Sequence, residues 1–431
     1  MKIMVHKRKF LTFFSLAILY TISYIFTYIY FLNKYFDYFG YEKYNSEPET
    51  WVIPILISSL PIIFFRGYIA VSSLISLFIY LLVYVPTIYA FLFADIAQED
   101  LFYILSIFML SMCLLFYADR VKLKIVNQFE QKISINFFLI ITIISTLFIL
   151  YTYKGNLSFV SLVDVYELRS SNNHLGTNVF VRYLMSWLTT FLIPICLAYG
   201  IVFNKYKFIF IGFLSCIILY MSTGSKGTLF MPFVLLSVYS ILKKFDIDKF
   251  LQIIIILITL SIVLLTYFIE GNDSVLFLIG SIFIMRTISI GGLVNLKYYE
   301  FFETHPFTYF SHINIVESIT GLYPYGENAI GQVVGSYFWG DMNANANFWA
   351  TDGISSIGIF GVILMSVLLF MFLIIINSIT KKHNQYFIIL LFLPFIGTLL
   401  NASFFSTLLS GGGFLTILAL MFLNNEKTLV K

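Results

Sequence analysis

Lys226 occupies a glycine-flanked turn between two apolar runs, an unfavourable place for a cation. The stretch 221–230 reads MSTGSKGTLF, with Gly224 and Gly227 on either side of the lysine. Glycines let backbone N–H groups approach a ligand closely, and the start of a following helix adds partial positive charge. The turn therefore predicts an anion site, for which lipid-linked phosphate is the ligand that suits the depth. A lysine that snorkels at a helix end is the alternative interpretation.

Three arginines extend this prediction. Arg169 lies in the polar stretch DVYELRSSNNHLG, Arg182 opens an apolar run, and Arg286 stands in the middle of VLFLIGSIFIMRTISIGGLV (275–294). A planar guanidinium grips phosphate oxygens in pairs, and an ionisable residue inside an apolar segment needs a partner or a role. For Arg169, an ion pair with a neighbouring acid is the alternative.

Candidate proton acceptors lie in the long polar stretch that follows. They are His312, Glu317, Asp341 and Asp352. Histidines and carboxylates are the usual general bases, and Asn, Asp and aromatic side chains bind sugar hydroxyls and rings. Solvated turns are the alternative for each residue, and none of the four is favoured by the sequence.

Metal and cofactor chemistry finds no support in the residue spacing. Asp246 and Asp248 form a DxD pattern, but three lysines flank it and a charged turn on the inner side is the better interpretation. The three cysteines all fall within apolar runs, without a CxxC spacing. We expect neither a metal nor a cofactor, and no nucleic-acid partner.

The elements that must position these residues are transmembrane helices. The 431 residues are 60% hydrophobic and 11% charged, and a bilayer core needs about 20 apolar residues per helix. The sequence therefore predicts an all-α polytopic integral membrane protein with about twelve spans. The spans are 10–32, 51–65, 68–93, 101–117, 134–153, 181–203, 208–221, 228–242, 250–269, 353–378, 385–400 and 405–423. The short spans 208–221 and 228–242 are expected to draw the Lys226 turn below the membrane surface.

Loop charges predict the orientation. With both termini in the cytoplasm, 18 of the 26 Lys and Arg lie inside and 17 of the 22 Asp and Glu lie outside. The segment 275–294 could cross, but crossing would reverse every later loop. We therefore predict that it dips into the outer leaflet. The chain then divides into helices (1–269), one large extracytoplasmic loop (270–352) and the last helices with a cytoplasmic tail (353–431).

The layout resembles the Wzy-type polymerases of O-antigen and capsule repeat units. The resemblance covers nearly the whole chain and rests on TGSKG (223–227), the arginines of the outer loops and NANANFWATDGISSIGIFG (343–361). The family's turn more often carries Arg where this chain has Lys226. A single positive charge remains there, without the paired grip of a guanidinium.

The resemblance implies a glycosyltransferase at the outer face of the bacterial cytoplasmic membrane. Glycan is transferred from undecaprenyl diphosphate to the terminal sugar of another lipid-linked repeat unit. Lys226, Arg182, Arg286 and Arg169 would stabilise the leaving diphosphate, and one of the four bases would accept the proton of the attacking hydroxyl. A flippase and a chain-length regulator of the same pathway are the expected partners.

Two other functions remain open. The related O-antigen ligases share the layout and differ in the acceptor. A flippase for lipid-linked oligosaccharides could also have twelve spans and buried cations. Transporters usually show repeated halves, whereas this sequence shows no repeat and one dominant loop. That asymmetry favours an enzyme.

Overall fold

The chain is helical throughout the residues that the structure describes. The computed structural model describes residues 2–43, 51–123, 133–160, 178–269, 271 and 274–424. No β-strand occurs among them, and the single isolated bridge joins Ile133 to Leu423. Arg169 lies outside the described residues.

Eleven helices among the described residues are long and apolar enough to cross a membrane. They are Lys9–Phe39, Val71–Phe93, Gln98–Tyr117, Ile135–Thr152, Val179–Val202, Tyr206–Thr223, Lys226–Lys244, Ile247–Phe268, Val275–Thr304, Phe360–Thr380 and Phe404–Phe422. Two shorter apolar helices are Val52–Phe64 and Gln385–Leu399. Four further helical pieces precede Phe360: Asn314–Thr320, Ile330–Trp339, Trp349–Ile354 and Ser355–Ile357. The predicted all-helical, polytopic membrane architecture is confirmed at this level.

The helices on either side of Lys226 are longer than predicted. Tyr206–Thr223 has 18 residues and Lys226–Lys244 has 19, whereas the sequence suggested 14 and 15. At about 1.5 Å per residue, each reaches roughly 27–29 Å, close to the thickness of a bilayer core. The prediction of two short spans was wrong, and with it the reason to expect the turn below the membrane surface. The apolar count missed residues near each end that continue the helices.

The predicted span 353–378 was also displaced. Its helix runs over Phe360–Thr380, and residues 353–357 belong to a separate short helical piece. Gly358 separates the two pieces, with a φ of +69° that disfavours any residue with a side chain. The glycine and polar residues around 352–358 were counted as the start of a span because the hydrophobic residues that follow raise the average hydropathy of the whole stretch.

Five stretches of the described chain are π-helical, and two of these have an evident local cause. Tyr80–Tyr84 and Leu188–Leu192 each lie just before a proline, Pro86 or Pro194. A proline has no N–H and clashes with the carbonyl four residues earlier, so a wider turn accommodates it. The other three stretches neither contain a proline nor lie just before one: Tyr28–Asn33, Ser281–Ser289 and Trp349–Ile354.

The contacts divide the chain into two compact units. Unit 1 comprises Met1–Leu123, Ile247–Ile375 and Leu399–Phe405. Unit 2 comprises Lys124–Asp246, Ile376–Thr398 and Ser406–Lys431. The helix Val71–Phe93 is almost wholly buried and forms the core of unit 1.

In unit 1, several predicted inner loops meet at the Lys9 end of the first helix. The Lys9 ammonium lies 2.5 Å from the Asp248 carboxylate, which also accepts the Tyr68 N–H at 2.7 Å. The opposite end of that helix, the Phe39 end, lies near Ile269, whose carbonyl accepts the Tyr35 hydroxyl at 3.3 Å. Other segments of unit 1 can therefore be described by which end of the first helix they contact.

We call Val275–Thr304 the Arg286 helix. Its first turns lie at the Phe39 end, where Phe277 stacks on Phe36 at 5.8 Å. Its last turns return to the same end, where Lys297 packs against Gly40 so closely that a Cβ there would lie 2.7 Å from Cε. Its 30 residues are enough to cross a membrane. The dip into the outer leaflet that loop charges predict stays a prediction.

The residues after Asp341 pack deep between the helices of unit 1. Asn347 donates to Asn295 Oδ1 at 2.9 Å, and Asn295 donates to Thr87 Oγ1 at 2.8 Å. Trp349 is fully buried and donates to Ser366 Oγ at 2.7 Å. Polar groups buried at such depth need hydrogen-bond partners. The side chains of Asn347, Asn295 and Trp349 have them.

Candidate functional site

Asp352 is a fully buried carboxylate held by three donors. Its Oδ1 accepts the Ser403 hydroxyl at 2.7 Å and faces His312 Nε2 at 3.1 Å. Its Oδ2 accepts the Phe404 N–H at 2.6 Å. Because a buried charge is tolerated only when it is paired and hydrogen-bonded, this environment accounts for an acid at 0% exposure. Such enclosure leaves Asp352 no direct access to a substrate.

His312 is oriented through both of its ring nitrogens. Its side chain is only 6% exposed. Nε2 faces Asp352, and Nδ1 lies 3.1 Å from Thr308 Oγ1. A carboxylate can only accept a hydrogen bond, so Nε2 carries a proton. The pair His312–Asp352 is thus the one set of predicted site residues that the described contacts bring together.

The surroundings of Nδ1 suit both a neutral and a protonated imidazole. Thr308 Oγ1 also lies 3.1 Å from the Ser355 carbonyl. When Nδ1 is unprotonated, the threonine hydroxyl donates to it. When Nδ1 gains a proton, that N–H donates to Thr308, whose hydrogen turns to Ser355. Every group stays satisfied in both states without movement of a heavy atom, which is what a proton acceptor needs.

Asp352, His312 and Thr308 resemble a nucleophilic triad only in outline. In such a triad the hydroxyl reaches the substrate. Here Thr308 is fully buried and its hydroxyl is engaged with Ser355 and His312. The geometry therefore assigns Thr308 a positioning role.

The backbone just before His312 is strained. Tyr309 has a φ of +47° and Phe310 a φ of +65°, in the left-handed region that residues with a Cβ disfavour. Such residues cost about 1–2 kcal/mol each, and strained positions cluster at functional sites. The N–H groups of Thr308 and Tyr309 donate to the Ser355 and Ser356 carbonyls and hold the strained turn in place.

Two of the three proline-free π-helical stretches carry a predicted site residue. Ser281–Ser289 contains Arg286 and Trp349–Ile354 contains Asp352. π-Helical turns without a local sequence cause are frequent at functional sites, because they displace one side chain from the regular helical register. This observation singles out Arg286, which its charge in an apolar segment had already indicated, and one of the four candidate bases.

Arg286 is exposed, and no acid pairs with it among the residues that the structure describes. The exposed side chains in the turns before it are apolar: Leu278, Ile279 and Ile282. Lys297, on the same helix, is by contrast buried and bound to Glu300 at 2.8 Å. The guanidinium of Arg286 is therefore the cation of this helix that remains available to an anionic ligand.

Lys226 begins the helix Lys226–Lys244 and is exposed. The preceding helix ends at Gly224, in the left-handed conformation with a φ of +62°. The hydroxyls of Thr223 and Thr228 are engaged within the turn. Thr223 accepts the Ser225 N–H at 3.2 Å, and Thr228 donates to Ser225 Oγ at 2.9 Å. The lysine itself remains the group that a ligand could meet.

The other predicted residues are spread over the chain. Arg182 is exposed on the helix Val179–Trp187 and, like Lys226, belongs to unit 2. Glu317 and Asp341 are exposed, in contrast to Asp352. Asp248 of the DxD pattern binds Lys9 and the Tyr68 N–H, and these contacts agree with its interpretation as part of a charged turn.

Sequence reasoning missed Thr308, Ser403 and the Phe404 N–H. Ser403 is remote from His312 in the chain and lies in a short polar break before the last helix. No spacing rule connects such residues. A buried acid needs donors, however, and a polar break beside a span is where they could have been sought.

The described part of the chain holds no group of three or more His, Cys, Asp or Glu that could bind a metal ion. Comparison of the chain with protein-family models, curated proteins and solved structures found no match in any of the three. The structure alone therefore defines a class: a polytopic helical membrane protein with a buried His–Asp pair and, within its described residues, an unpaired arginine in an apolar helix.

Proposed function

We propose that the protein is a glycosyltransferase of lipid-linked oligosaccharide repeat units. It transfers the growing glycan from undecaprenyl diphosphate to the terminal sugar of another repeat unit at the outer face of the cytoplasmic membrane. The product belongs to an O-antigen, capsule or exopolysaccharide. The proposal rests on the resemblance of TGSKG and residues 343–361 to Wzy-type polymerases, together with the geometry of Arg286 and His312.

Arg286 is the observation that carries the proposal. An exposed guanidinium among apolar side chains is costly unless an anion meets it. A diphosphate on a lipid carrier provides an anion at the membrane and an apolar chain in the same molecule. As the glycosidic bond breaks, negative charge builds on the diphosphate, and a fixed cation stabilises it there. Lys226 and Arg182 belong to unit 2, and their role in binding diphosphate stays a prediction from the sequence.

His312 is the base that the geometry favours. Attack by a sugar hydroxyl on the anomeric carbon releases one proton, which we propose passes to His312 Nδ1 while Asp352 stabilises the imidazolium. Because the ring is 6% exposed and Nδ1 is bound to the buried Thr308, this transfer requires the turn at 308–312 to open toward the acceptor sugar. The bond formed joins the acceptor oxygen to the anomeric carbon, and the bond broken releases the lipid diphosphate. Glu317 and Asp341 remain alternatives, since both are exposed.

Ligase and flippase remain the rival functions. A ligase uses the same donor and the same cations, so no described contact separates it from a polymerase. A buried His–Asp pair also suits a proton-coupled transporter, so the sequence, with no internal repeat and one dominant loop, is what favours an enzyme over a flippase.

A gel of surface and lipid-linked glycan from a strain that lacks this gene tests the proposal. A single repeat unit without a ladder is the expected result. Long chains held on the lipid carrier would identify a ligase, and repeat units trapped at the inner face would identify a flippase. An unchanged ladder would exclude all three functions.

A further inference from the structure

The last two turns of the Arg286 helix and the residues that follow it up to Thr380 contain acids and neither Lys nor Arg. Residues 298–380 hold six Asp and Glu and not one Lys or Arg. Two of the six are engaged within unit 1, since Glu300 binds Lys297 and Asp352 binds His312. The other four carboxylates are exposed: Glu303, Glu317, Glu327 and Asp341. The charged side chains exposed in this stretch are therefore all acidic.

Exposed aromatic rings lie in the same region. Tyr309 is 63% exposed and Tyr337 is 59% exposed. Tyr337 is fixed by edge-on packing against Phe301 at 5.3 Å and His305 at 5.2 Å. Tyr309 is fixed by its strained backbone and by its N–H, which donates to Ser356. Both rings are therefore presented to solvent on an anchored backbone.

Nearby tyrosine hydroxyls hold the surrounding loop. Tyr325 donates to the Pro306 carbonyl at 2.6 Å, and Tyr323 donates to the Asn328 carbonyl at 2.8 Å. The two rings lie 5.7 Å apart, and Tyr325 also packs against Phe301 at 5.9 Å. These contacts make the loop a shaped surface with fixed aromatic faces.

Fixed aromatic faces with exposed carboxylates suit a sugar. The C–H groups of a sugar ring pack on an aromatic face, and sugar hydroxyls donate hydrogen bonds to carboxylates. A uronate, sulfate or phosphate would find no Lys or Arg to pair with in residues 298–380 and would be repelled over about 8 Å at physiological ionic strength. Electrostatic complementarity of this kind sets specificity by rejecting the wrong ligand.

We infer that the repeat unit handled by this region consists of sugars without acidic groups. This inference rests on the proposed function and narrows its substrate class. The anionic part of the substrate is confined to the lipid diphosphate, which meets the cations outside this region. The glycan itself meets Tyr309, Tyr337 and the four exposed carboxylates.

Composition analysis of the glycan tests the inference separately from the function. The glycan to analyse is the polymer whose ladder is lost when the gene is deleted. Sugars without uronate, sulfate or phosphate would support the inference. A lost ladder together with an acidic repeat unit would overturn it while the polymerase function stands. An unchanged ladder would overturn the proposed function and this inference with it.

Aromatic variants test the contact itself. With the strain's own lipid-linked repeat unit as probe, Tyr337→Ala and Tyr309→Ala should each raise the KM for the acceptor about 2- to 10-fold and leave kcat nearly unchanged. Tyr206→Ala is the matched control, because Tyr206 is 80% exposed and lies in unit 2. Wild-type KM in both test variants would mean that these tyrosines line the membrane surface without contacting sugar.

Discussion

Replacement of Asp352 by asparagine separates the catalytic from the structural role of the His312–Asp352 pair. In the Asp352→Asn variant, the amide oxygen can keep the hydrogen bond from the Phe404 N–H, which cannot rotate away. The new NH2 group then faces Ser403 and His312, and each of these can adapt. The serine hydroxyl turns to accept, and the imidazole shifts its proton from Nε2 to Nδ1. The network remains satisfied, so we expect a loss of stability of only about 1 kcal/mol.

The same proton shift abolishes the base. In Asp352→Asn, Nδ1 already carries a proton that it donates to Thr308, so it cannot accept another. Nε2 is unprotonated but bound to the amide. We therefore expect kcat to fall about 10²- to 10⁴-fold, the usual contribution of general base catalysis, with protein yield and the thermal midpoint in detergent close to wild type.

Asp352→Ala should behave differently. It leaves three donors without their acceptor (the Phe404 N–H, the Ser403 hydroxyl and His312 Nε2–H), at about 1–3 kcal/mol each. This variant should lose its fold or yield little protein. Asp341→Asn is the matched control, because the same change at an exposed carboxylate should stay within about 0.5 kcal/mol.

A folded Asp352→Asn variant with the wild-type rate would refute this reasoning. The buried pair would then only fasten the turn at 308–312 to the last helices of unit 1, and an exposed carboxylate such as Glu317 or Asp341 would have to be the base. A stable and active Asp352→Ala variant would contradict the buried geometry itself.

Four further predictions follow from the site and the fold. Arg286→Ala should abolish long-chain glycan at normal protein level and Arg286→Lys should restore it in part, with Thr287→Ala as control; long chains in Arg286→Ala would remove the diphosphate role. Lys226→Ala should shorten the ladder whereas Lys244→Ala, at the other end of the same helix, should not, and equal effects would point to general loss of surface charge. In a chain whose Cys113, Cys196 and Cys216 have been replaced, a membrane-impermeant maleimide should label both Gly271→Cys and Glu327→Cys from outside. Labelling of only one of the two would mean that Val275–Thr304 crosses the membrane. A chelator should leave activity unchanged, because the described residues offer no metal-binding cluster, and loss of activity that is restored by added metal would contradict this.

The sequence predicted the membrane architecture because apolar composition is a property of each helix alone. Twelve spans were expected, and eleven long and two shorter apolar helices are observed among the described residues. Helix ends were less predictable, as the 18- and 19-residue helices around Lys226 show. Lys and Arg near a helix end lower local hydropathy although their stems continue the helix.

The site was predictable only in part. Arg286 could be identified from the sequence because a charge within an apolar segment is visible without any tertiary contact. His312 and Asp352 were two of four candidates, and their pairing depends on the packing of residues 343–357 between the helices of unit 1. Thr308 and Ser403 were not predicted at all, because hydroxyl residues of this kind occur throughout the chain and only tertiary contact gives these two a role.

Reconstitution of the purified protein with lipid-linked repeat units is the most direct test of the central claim. We expect the protein alone to lengthen the lipid-linked glycan and to release one undecaprenyl diphosphate for each unit added. Wild-type protein that moves repeat units across the bilayer without forming a glycosidic bond would contradict it.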